Sequence, residues 1–143
     1  MRILAFLLFL AAILCLTGSI NAQTADTETG KPASELPQAE PVYNLLKAIE
    51  ISDFDLFVSA FEPKSLEFAM NGRRKKDWPK VRKGWKKDFK EDLGNYRFED
   101  LRFVVDRSLN NDVRSVVYIV YKGKLLHGMN VSKLTGKWKI IEL

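Results

Sequence analysis

The chain holds one histidine and one cysteine, which narrows the chemistry available to it. Histidine changes charge near neutral pH, so His127 is the candidate general acid or base. It lies in 125–133, a strand-like segment where period-two alternation puts Leu125, Met129 and Val131 on its own face. The alternative is a structural histidine whose ring nitrogens are hydrogen-bonded. Tyr118 and Tyr121 fall on opposite faces of the strand-like 113–121, and each either lines a pocket or packs with its hydroxyl satisfied. The candidate pocket or ligand residues are Tyr118, His127, Met129 and Trp138. No metal site is expected, because one histidine, and no cysteine once Cys15 leaves with the N-terminal segment, leave only carboxylates. Neither a Ser-His-Asp order nor a glycine-rich phosphate loop is visible, and no cofactor is expected.

The densest charge lies between Arg73 and Lys90, where Arg73, Arg74, Lys75, Lys76, Lys80, Arg82, Lys83, Lys86, Lys87 and Lys90 face only Asp77 and Asp88. Trp78, Val81, Trp85, Phe89 and Leu93 recur among them at helical spacing. Burying such side chains stabilises by about 1.5–3 kcal/mol each. Like-charge neighbours such as Lys83 and Lys87 cost about 0.2–0.5 kcal/mol. Packing therefore wins, and the helix docks by its stripe with its cations outward. Lys80, Arg82, Lys83, Lys86, Lys87 and Lys90 are the candidate anion-binding residues, for a glycan, a lipid headgroup or another polyanion. The alternative is a solvated helix face. Because the aromatic residues share the buried stripe, base stacking and specific nucleic-acid recognition are not expected.

These residues need a scaffold, and a compartment. Residues 1–22 read as a cleavable export signal: Arg2 precedes an apolar run, 3–16, and the cut is placed after Ala22. The run is shorter than the ~20 residues of a membrane-crossing helix. A retained anchor and lipidation at Cys15 are the competing readings, the latter disfavoured by Leu14 in front of the cysteine. Cleavage removes Cys15 and leaves a periplasmic or secreted domain without disulfides, dependent on its core. The formal net charge of +5 falls slightly with Arg2 and stays basic.

Residues 23–40 carry Pro32, Pro37 and many small polar residues, with Leu36 the only large apolar one, and are expected to be a disordered linker. The domain is placed at 41–143. Val42, Leu45, Leu46 and Ile49 predict a helix over 42–50. Ser52-Asp53 predicts a break and a new cap, followed by a helix carrying Phe54, Phe57, Val58 and Phe61 and closed by Pro63. Alternation in 65–70 predicts a short strand. Asp77 as cap, Pro79 in the first turn and Gly94 as stop bound a helix over 78–93. Strands follow at 96–107, 113–121, 125–133 and 137–141, with turns at 110–112, 122–124 and 134–136. Helices first and a meander afterwards predict an α+β fold, with N-terminal helices packed on a curved antiparallel sheet of about four strands. The strand 113–121 is apolar on both faces, so a second cover for the sheet is expected, a homodimer being one candidate.

This order resembles the nuclear transport factor 2-like superfamily, a cystatin-like cone fold that includes isomerases, cyclases and exported bacterial domains. The residues that carry the resemblance are the helix junction 45–57, the helix 78–93 leading into the sheet, and the closing Leu134-Thr135-Gly136-Lys137-Trp138-Lys139-Ile140. The resemblance implies an apolar pocket inside the cone. It does not bring the isomerases' tyrosine and acidic set onto matching residues here. The function expected is a non-enzymatic exported domain binding a small apolar ligand or a protein. The alternatives are an isomerase-like or cyclase-like enzyme working in the cone, and a module for anionic envelope components using 73–90.

Overall fold

In the computed structural model, residues 30–106 and 113–142 are described. The export signal, Cys15, the upstream part of the linker and the turn at 110–112 lie outside them. The fold is α+β, with the helices preceding the sheet. The helices are α1 (Glu40–Ile51), α2 (Phe54–Ala60), α3 (Pro63–Ala69) and α4 (Trp78–Leu93). The strands are β1 (Arg102–Asp106), β2 (Arg114–Tyr121), β3 (Lys124–Leu134) and β4 (Lys137–Glu142). They form an antiparallel meander in the order β1-β2-β3-β4.

The expected junction between the first two helices forms. Ser52 closes α1 in the left-handed region at φ 63°, and the Asp53 carboxylate accepts the Leu56 N–H at 2.9 Å to open α2. Helix α4 has the bounds its cap and stop residues predict, and the Gly94 N–H closes it on the Lys90 carbonyl at 2.9 Å. Asp77 does not cap α4 with its side chain. Its carboxylate accepts the Arg74 N–H at 3.2 Å, one turn earlier.

Several expectations are corrected. The segment 65–70 is helical, not a strand. Pro63 opens α3 instead of closing α2, and Ser65, Ala69 and Met70 are buried at helical spacing, leaving Phe68 outside at 83 % exposure. The apparent alternation came from Leu66, Phe68 and Met70 falling two apart. The disordered linker does not extend to Glu40. Lys31 exchanges two 2.8 Å backbone hydrogen bonds with Phe103, and two 3₁₀ turns follow, Ala33–Glu35 and Pro37–Ala39, which bury Leu36 and Ala39. Gly30 makes this approach feasible: a β-carbon there would stand 2.8 Å from the Arg102 β-carbon, on a backbone with φ +51°. The first strand is shorter than expected, because Phe98–Asp100 forms a 3₁₀ turn.

The core lies between the helices and one face of the sheet. Val42, Leu45, Leu46, Ile49 and Phe57 meet Phe103, Val117, Ile119, Val131 and Ile140, and none is more than 1 % exposed. Phe57 is the hub of an aromatic cluster with Phe61, Trp78 and Trp85, at centroid distances of 5.0, 4.7 and 6.2 Å.

Candidate anion-binding face

Of the residues expected to line a cone pocket, the His127 side chain lies outside the described ones, and Tyr118 is not brought together with Met129 and Trp138. Register places Val117 opposite Met129 on the core face, and Tyr118 opposite Gly128 on the outer face. Met129 is 4 % exposed and fills the core, and Trp138 packs against it from β4. The Tyr118 ring lies over Gly128 on the other side, so close that a β-carbon at Gly128 would stand 2.8 Å from its Cε1. His127 marks a β-bulge: the partners of Tyr118 and Ile119 jump from Gly128 to Leu126. The extra residue breaks period two, so Leu125 faces outward with Val120 while Met129 and Val131 face inward with Val117 and Ser115. The single face assigned to Leu125, His127, Met129 and Val131 therefore does not exist.

Two of the open grooves bordered by described residues can be traced, and neither is lined by Tyr118, Met129 or Trp138. One, of about 500 Å³, is bordered by Phe68, Ile141, Glu62 and Lys64. The other, of about 480 Å³, is bordered by Tyr43, Phe98 and Phe103 beside Ala33 and Glu99. Among the described residues, no group of three or more His, Cys, Asp or Glu is placed to hold a metal ion.

Helix α4 is where the charge expectation meets geometry. Trp78, Val81, Phe89 and Leu93 are buried and Trp85 is half-buried, donating its indole N–H to the Ala69 carbonyl at 3.2 Å. With that stripe inward, the cations sort into two sets. Arg82 points at α1. Its Nε donates to the Ile49 carbonyl at 2.6 Å and its Nη2 to the Glu50 carbonyl at 3.0 Å. These carbonyls end α1 and have no partner within the helix, so Arg82 is a cap supplied from another element. This corrects its place among the anion-binding residues. Lys86, on the same flank and itself exposed, pairs with the Glu50 carboxylate of α1 at 3.7 Å.

The second set is Lys80, Lys83, Lys87 and Lys90, all exposed. At about 100° per residue, these positions centre about 160° around the helix from the buried stripe. They follow one another every three or four residues and span about 15 Å. Lys87 lies 3.6 Å from Glu91, an exposed pair of the kind that contributes at most about 1 kcal/mol. Lys80, Lys83 and Lys90 make no ion pair among the described residues. Asp77, Asp88, Glu91 and Asp92 occupy the flank away from α1 by the same spacing. Arg73, Arg74 and Lys76 are exposed just ahead of the helix, whereas Lys75 is held by Asp55 at 3.1 Å and sits 5.0 Å above the Phe54 ring.

Sequence reasoning missed this sorting, although the three-and-four spacing of 80, 83, 87 and 90 was legible. It also missed Tyr96, whose phenol is pushed above the usual tyrosine range by burial and then by the nearby Glu50 carboxylate. Comparison of the chain with protein-family models, with curated proteins and with solved structures gives no match.

Proposed function

We propose that this is an exported, non-catalytic binding domain whose working surface is the outward face of α4, and whose partner is anionic. The observation that carries the reading is the separation of the helix's cations: Arg82 and Lys86 are used against α1, while Lys80, Lys83, Lys87 and Lys90 are exposed in one row. Lining up like charges three and four apart costs about 0.2–0.5 kcal/mol per neighbouring pair, and a bound polyanion relieves that repulsion. Export is proposed from residues 1–22. Kinship with the nuclear transport factor 2-like superfamily is proposed from the order of elements and the closing Gly136-Lys137-Trp138.

A small ligand inside the cone is less well supported, because fully buried side chains occupy the space between helices and sheet. The sheet's outer face favours a second reading, that of a homodimer. Val104, Val116 and Tyr118 are only half-buried there. Sedimentation of the purified protein with and without Tyr118→Arg checks that reading.

The principal test is retention on immobilised heparin. Lys80→Glu, Lys83→Glu and Lys87→Glu together are expected to abolish retention at moderate salt while the circular dichroism spectrum is unchanged. Undiminished retention by the triple variant overturns the proposal.

A further inference from the structure

We infer that the anionic partner is a linear polysaccharide carrying carboxylate or sulfate groups, not a membrane surface or a nucleic acid strand. This rests on the α4 reading above and adds the class of ligand. Three observations separate the candidates. First, the cations form a row, not a plane: Lys80, Lys83, Lys87 and Lys90 run along one line about 15 Å long on a convex helix. Second, the row is bordered on the side away from α1 by Glu91, about 60° around the helix from its centre, with Asp77 about 100° away. A flat anionic bilayer pressed on the row meets the Glu91 carboxylate together with the lysines, whereas a chain one residue wide lies along the lysines and passes beside it. Third, no large apolar side chain stands among them. The helix's aromatic residues are on the buried side, so nothing on this face inserts among lipid tails or stacks on bases.

Lysine suits such a ligand. Its compact, flexible ammonium makes no demand on the plane of the anion, so charged groups at irregular spacing are all reached. The rise between successive lysines, about 4.5–6 Å, allows each to meet a different charged group along an extended polymer. Affinity then accumulates from several weak contacts and falls steeply as salt rises.

The experiment is a binding panel on the purified protein at low ionic strength. It uses heparin fragments of graded length, polygalacturonate, vesicles containing phosphatidylglycerol, and oligothymidylate. The sugar polymers are expected to bind, and heparin affinity to rise with length until a fragment reaches from Lys80 to Lys90, then level off. The triple variant Lys80→Glu, Lys83→Glu and Lys87→Glu is expected to lose about tenfold or more in heparin affinity. A charge-matched control, Lys124→Glu, Lys133→Glu and Lys137→Glu, keeps it, because those exposed lysines lie on the sheet. Vesicles or oligothymidylate binding as tightly as the sugars overturns the polysaccharide assignment and leaves the anionic α4 face standing. Equal losses in the triple variant and its control overturn both, as does failure of every probe to bind.

Discussion

Arg82→Ala and Lys83→Ala alter neighbouring cations on one helix, and they are expected to do opposite things. Arg82 gives two hydrogen bonds to the end of α1, at 2.6 Å to the Ile49 carbonyl and 3.0 Å to that of Glu50. A hydrogen bond to a charged group contributes about 1.5–3 kcal/mol when sheltered. The Ile49 bond is partly buried and falls in that range, while the Glu50 bond is exposed and adds little. Removing the side chain therefore costs about 2 kcal/mol. At roughly 4–8 °C per kcal/mol for a domain of this size, thermal unfolding moves down by roughly 10 °C. Arg82→Lys does not restore it, because one ammonium cannot hold both carbonyls in the fork geometry of a guanidinium. Heparin affinity in Arg82→Ala stays within about twofold of the parent below the new melting point, because the guanidinium faces α1 and not the polymer. Lys83→Ala leaves melting unchanged and weakens heparin binding. Differential scanning calorimetry and heparin titration on both variants decide the matter. An unchanged melting temperature in Arg82→Ala, or a binding loss there equal to that of Lys83→Ala, refutes the division of labour on α4.

Other outcomes follow from the packing and the termini. Phe57→Ala removes the hub of the aromatic cluster from a fully buried site and is expected to cost about 3–5 kcal/mol, measurable by urea unfolding if the variant still folds, and visible as loss of near-ultraviolet dichroism if it does not. Gly30→Ala brings a β-carbon against Arg102 on a positive-φ backbone, so the N-terminal bridge to β1 opens and the amides of Lys31 and Phe103 lose protection from hydrogen exchange, with little change in the helices. Tyr96 titrates above the ordinary tyrosine value of about 10 because burial, and then Glu50, disfavour its phenolate. Its contribution to stability is thus complete below the unfolded value and is lost as pH rises through the folded one. Alkaline absorbance titration is expected to show a late-ionising tyrosine that disappears in Tyr96→Phe.

Much of the scaffold was legible because local chemistry and packing agree there. Asp77-Trp78-Pro79 and Gly94 bracket α4, and its apolar stripe has a single period. The meander was legible from its turn residues and β-branched runs. Illegible parts share a cause: a distant contact overrides a local pattern. The 65–70 alternation gave way because Ser65 donates to the Ile141 carbonyl at 2.6 Å, across the chain on β4, while Ala69 and Met70 turn into the core. Residues 33–39 look disordered by composition, yet Leu36 and Ala39 find burial beneath them. The β-bulge at His127 inserts one residue into β3, a second register shift lies between Asn130 and Val131 where β3 pairs with β4, and no residue type announces either. Arg82 reads as one more cation, since its partners are 32 and 33 residues away. At the candidate site, therefore, the kind of charge and its helix were readable, and the division between structural and available cations was not.

The most direct test of the α4 face is to titrate isotopically labelled protein with a heparin fragment long enough to reach from Lys80 to Lys90, following lysine side-chain and backbone resonances. The account predicts that the largest shifts fall on Lys80, Lys83, Lys87 and Lys90, with Arg82 and the strands little changed. Shifts centred on the sheet, on the Phe68 groove or on Arg82, with those four lysines unmoved, would contradict it.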